Sequence, residues 1–100
     1  MKQMNRDHVL DILRRHRAEI TARFGARELG LFGSAARDEL RGGSDVDILV
    51  EFDGSATYDG YFGLRDYLQE IPGRPVDLVS RRGLKPRARA SLDEDLIRVA

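Results

Sequence analysis

LFGSAARDELRGGSDVDILV, residues 31–50, carries two features that decide the reading: Gly33-Ser34 interrupts one apolar run, and Asp45-Val46-Asp47 opens another. The second run, Asp45 to Phe52 (DVDILVEF), is the best strand pattern in the chain. Side chains alternate across a strand, so Asp45 and Asp47 point to one face and Val46, Ile48 and Val50 to the other. Two neighbouring carboxylates repel and raise each other's pKa, so a cation is expected between them. No His or Cys stands in the motif, and hard oxygen ligands point to magnesium or manganese rather than zinc.

Working outward, ELGLF (residues 28–32) reads as a strand that ends at Gly33-Ser34, with a short helix over Ala35 to Leu40 and a loop at Arg41-Gly42-Gly43-Ser44. A glycine after a strand and before a helix lets backbone approach a phosphate, and the Ser34 hydroxyl can donate to it. Arg37, one turn on, can add positive charge to the same phosphates. Upstream, Val9, Ile12, Leu13, His16, Ile20 and Phe24 recur at helical spacing between an Asn5 N-cap and a Gly25 stop. His8 and His16 read as helix histidines rather than ligands.

Downstream, a polar turn spans Asp53 to Asp59, and Phe62, Leu64, Tyr67, Leu68 and Ile71 give a helix over Tyr61 to Ile71, closed by Pro72-Gly73. PVDLVS (residues 75–80) is a third strand, and one further helix begins near Pro86 and frays into LIRVA. Asp77 sits in mid-strand between Val76 and Leu78, a costly place for a carboxylate without a partner. If its strand lies beside that of Asp45, three carboxylates converge on one sheet face, as a two-metal displacement site requires. The order of elements is that of an α/β layer with a small sheet and packed helices; strand direction is not readable from it.

The 100 residues contain 17 Lys+Arg and 17 Asp+Glu, a balance that counts against nucleic acid as a direct partner. There is no cysteine, which excludes disulfides, thiolate zinc and a cysteine nucleophile. The charged N-terminus has no apolar signal core, and no stretch approaches the roughly 20 apolar residues of a membrane span, so a cytoplasmic protein is expected. With no repeat or linker, residues 1–100 are expected to form one domain. The run Arg81, Arg82, Lys85, Arg87, Arg89 is a basic patch, most simply a solvated surface.

On Gly33-Ser34, ten residues, Asp45-Val46-Asp47 and the later Asp77, the sequence resembles the minimal nucleotidyltransferases of the DNA polymerase beta superfamily. The surrounding GSAAR and SDVDILV are similar to that family's text, and the likeness covers about Leu31 to Val79. One departure is Asp38, where many relatives carry glycine. The resemblance implies a polymerase beta-like fold with a small mixed sheet, and transfer of AMP from ATP with two magnesium ions (or manganese). By this likeness Asp45 and Asp47 hold both metals, Asp77 completes the metal site and can take the acceptor's proton, Gly33 and Ser34 hold the β- and γ-phosphates, and Arg37 assists. It also implies a HEPN-type toxin as partner, with a toxin tyrosine as the expected acceptor hydroxyl and the chain as antitoxin. The alternatives are a catalytically silent antitoxin that neutralises by binding alone, and an enzyme modifying a small molecule such as an antibiotic.

Overall fold

Asn5 and Gly25 bound the first helix, α1 (Arg6–Phe24), in the computed structural model, which describes residues 5–39, 45–54, 58–71, 73–80 and 83–99. The Asn5 side chain accepts the His8 N–H at 2.9 Å, and Gly25, at φ 69°, closes the helix with its N–H on the Thr21 carbonyl. Val9, Leu10, Leu13 and Ile20 are its buried face; Ile12, His16 and Phe24 are half-buried.

Strand β1 (Ala26–Phe32) starts directly after Gly25, two residues before the expected Glu28. The short helix α2 (Gly33–Ala36) begins at Gly33 itself, earlier than the expected Ala35. Leu40 and the loop 41–44 lie outside the described residues. Next come β2 (Val46–Phe52), α3 (Tyr58–Glu70) and β3 (Val76–Val79). Part of the polar turn after Phe52, together with Pro72, Arg81 and Arg82, also lies outside them. Helix α4 (Pro86–Asp95) stops where the sequence suggested fraying. Ile97–Arg98 then form β4, a strand the sequence reading did not contain.

The sheet order is β3-β2-β1-β4, a four-stranded mixed sheet. β1 pairs antiparallel with β2 and with β4, and β2 pairs parallel with β3. A parallel pair needs a crossover connection, and α3 supplies it.

Alternation along the strands separates two apolar clusters. Leu29, Leu31, Val46, Ile48, Val50, Val76 and Leu78 share the larger one with Val9, Leu10 and Leu13 of α1 and Leu64 and Leu68 of α3. The opposite face carries a smaller cluster of Phe32 and Leu49 under Leu84 and Leu92. The acidic residues of β2 and β3 lie on this second, thinly covered face. Among the described residues no helix is long and apolar enough to cross a membrane.

Candidate active site

The two valines and the isoleucine of the β2 core face determine where its carboxylates go. Val46, Ile48 and Val50 are fully buried, so the alternating Asp47 must lie on the other side, where it is half-buried. Asp45 precedes the strand and is exposed. The Val46 N–H bonds the Pro75 carbonyl at 2.9 Å and starts the parallel pairing, which aligns Asp47 with Asp77. Residues aligned in this way lie on the same face of neighbouring strands, about 4.8 Å apart in the backbone. Asp77 itself is exposed.

Asp47 feels this setting. Burial, then the Asp77 charge, then the Asp45 charge push its carboxyl up to about 6, while the Arg37 guanidinium pulls it down. Asp47 therefore connects the other two carboxylates electrostatically. Among the described residues, however, no three His, Asp or Glu side chains close into a cage around an ion-sized space. The donor chemistry nonetheless fits a hard divalent cation: acceptor-only oxygens, one of them reluctant to ionise until a positive charge arrives.

Gly33 packs against the same carboxylate. It is buried, its φ is 70°, and a Cβ at this position would collide with the Asp47 side chain. Both backbone conformation and space therefore demand glycine. Ser34 follows, half-buried, and its carbonyl accepts the Glu39 N–H at 2.8 Å, folding the loop back on α2.

Asp38 is the one non-glycine residue at positive φ among the described residues, at 61°. Its carboxylate accepts the Arg6 N–H at 2.8 Å and so satisfies a first-turn donor of α1. Aspartate tolerates this conformation better than most residues. The departure from glycine thus has a physical basis.

Arg37 is exposed and ion-paired with Asp95 near the end of α4 and with Glu39 at 3.3 Å. The Asp95 hydrogen bond, foremost, holds the guanidinium pKa above its ordinary value. Sequence reasoning missed Asp95, and no local signal pointed to it, since it lies 58 positions from Arg37. The described members of the basic run, Lys85, Arg87 and Arg89, gather at the start of α4, one helix length from the Asp95 end that meets Arg37.

Residues 13–99 match the nucleotidyltransferase domain family, and the chain belongs to that family. It is 40% identical over 85 residues to the protein adenylyltransferase MntA of Thermococcus cleftensis, covering 85% of this chain and 86% of that protein. A solved minimal nucleotidyltransferase superposes with a TM-score of 0.77 at 36% identity, covering 97% of this chain and 98% of the other. The complex of a tri-AMPylated Shewanella oneidensis HEPN toxin with its MNT antitoxin contains a chain with a TM-score of 0.65 at 16% identity. That likeness, covering 91% of this chain and 71% of the other, is one of fold. The chain is a nucleotidyltransferase, and the mixed sheet with packed helices expected from the sequence is the fold it has.

Proposed function

We propose that this member of the nucleotidyltransferase family moves AMP from ATP to a tyrosine hydroxyl of a HEPN-type toxin and so acts as its antitoxin in the cytoplasm, with residues 1–100 working as one minimal domain. The observation that carries the chemistry is the alignment of Asp47 with Asp77 beside a glycine that must stay bare to accommodate the Asp47 carboxylate. The acceptor class is supported by the name of the Thermococcus relative, a protein adenylyltransferase, and by the AMPylated toxin in the Shewanella complex.

In this reading Asp45, Asp47 and Asp77 hold magnesium. The bound ions supply neutralisation of the triphosphate and of the charge that builds in an in-line displacement. The remaining tasks belong to the chain. Gly33 lets backbone come close to the β- and γ-phosphates, the Ser34 hydroxyl donates to a phosphate oxygen, and Arg37 offers its guanidinium to the same group. Asp77 accepts the proton of the incoming hydroxyl in this reading, a role its exposure to solvent supports. The hydroxyl oxygen bonds to the α-phosphorus, the bond from that phosphorus to the bridging oxygen breaks, and pyrophosphate leaves.

Intact-mass spectrometry of a HEPN-type partner incubated with the chain, ATP and magnesium tests this. One or more AMP masses should appear on the partner, map to tyrosine, and be absent with Asp47→Asn. A partner that is neutralised while remaining unmodified at every ATP concentration would replace this reading with neutralisation by binding alone.

A further inference from the structure

The pairing of Arg37 with Asp95 is expensive on the α4 side. Asp95 sits in the last turn of its helix, where the macrodipole disfavours negative charge, and that turn contains no basic residue. Its side chain is only 12% exposed, so its charge is also largely withdrawn from water. The guanidinium that meets both costs belongs to Arg37, the residue that closes α2 three positions after Ser34. Glu39, by contrast, is 58% exposed and sits two residues along the same loop, a soft second partner.

Arginine presents five donors in a planar fork, so anchoring Nη1 on Asp95 and Nε on Glu39 fixes the plane and aims the rest. Arg37 closes the one-turn helix α2, whose first residue, Gly33, packs against the Asp47 carboxylate, so the fork springs from the margin of the acidic site.

We infer that Asp95 is a positioning residue for nucleotide use: from α4 it holds the Arg37 fork in the orientation that receives the phosphates of ATP, so that α4 takes part in substrate binding without touching substrate. This rests on the proposed use of ATP at the Gly33-Ser34 loop. An arginine already ordered loses less rotamer freedom when it grips a phosphate, and its contribution then appears in ground-state binding.

Pyrophosphate release with the HEPN-type partner and magnesium, followed against ATP concentration, separates KM from kcat. Asp95→Asn should raise KM for ATP roughly tenfold while kcat stays within about twofold. Asp95→Glu should recover most of the loss. Arg37→Lys should show a similar rise, and combining it with Asp95→Asn should add little, because the two residues act as one unit. An Asp95→Asn chain with the wild-type KM would overturn the inference. So would equal falls in kcat and melting temperature with no change in KM, which would make the pair a strut between α2 and α4. Calorimetry of the wild type with magnesium-ATP keeps the two readings apart: binding that Asp95→Asn leaves unaltered sinks only the positioning role, whereas no binding at all sinks the proposed function and this inference with it.

Discussion

Asp47 is the residue on which most of the site's physics converges. Because burial and two neighbouring charges push its carboxyl up to about 6, the folded chain holds a proton there more tightly than the unfolded chain does. The favourable contribution is therefore fully present below the ordinary carboxylate range and is lost as pH rises through about 6. In chelator at pH 8, Asp47→Asn should melt above the wild type, and the gap should shrink as pH falls through 6 and close near pH 4. Added magnesium should raise the melting temperature of the wild type and leave the variant unmoved. Equal melting curves in chelator at pH 8 would contradict the assigned environment. Much of this residue-scale picture was legible: Asp45, Asp47, Asp77 and Gly33 are read from alternation and from a glycine at a strand end, both local signals. The partner of Arg37 was not, because a contact across 58 positions leaves no mark on either neighbourhood. Nor was the left-handed Asp38, whose hydrogen bond reaches back to Arg6.

At the scale of elements, the sequence misled at its end. The helix from near Pro86 is expected to fray into LIRVA, and a two-residue strand falls below any periodicity. The structure turns it into β4, where Ile97 and Arg98 pair with Leu31 and Gly30 and the Val99 N–H bonds the Leu29 carbonyl at 2.8 Å. A signal for this was present in Gly30, since glycine inside a strand often marks close approach of another segment. A Cβ there would meet the Leu96 side chain and stand 3.2 Å from the Ile97 carbonyl oxygen. Gly30→Val should therefore push β4 off the sheet at a cost of about 1–3 kcal/mol. Amide exchange should speed up at Ile97 and Val99 while the middle of α1 keeps its protection. Retained protection at Val99 would mean that the edge tolerates the side chain.

Over the whole molecule, apolar content is divided unequally between the two faces of the sheet. Leu68 belongs to the large cluster under α1 and α3, and Leu92 to the small one under α4. Leu68→Ala should cost about 2–5 kcal/mol of global stability, measured by denaturant unfolding. Leu92→Ala should cost less, because the buried apolar cluster it packs in is the smaller of the two; the reverse order would show that the α4 face bears more of the fold than its cluster suggests. The α/β class followed from the order of elements, whereas strand direction did not, because pairing is decided by contacts between segments rather than within them. One consequence of that pairing reaches beyond stability. Asp47 and Asp77 share a face only while each strand keeps its count, since sliding either strand by one position turns its carboxylate to the opposite side. Apart from Asp47 and Asp77, residues 46–49 and 76–79 can change their letters and the strands still present the acidic pair, but an insertion or deletion that slides either strand by one would turn its aspartate against the core and bring a valine, leucine or isoleucine out in its place.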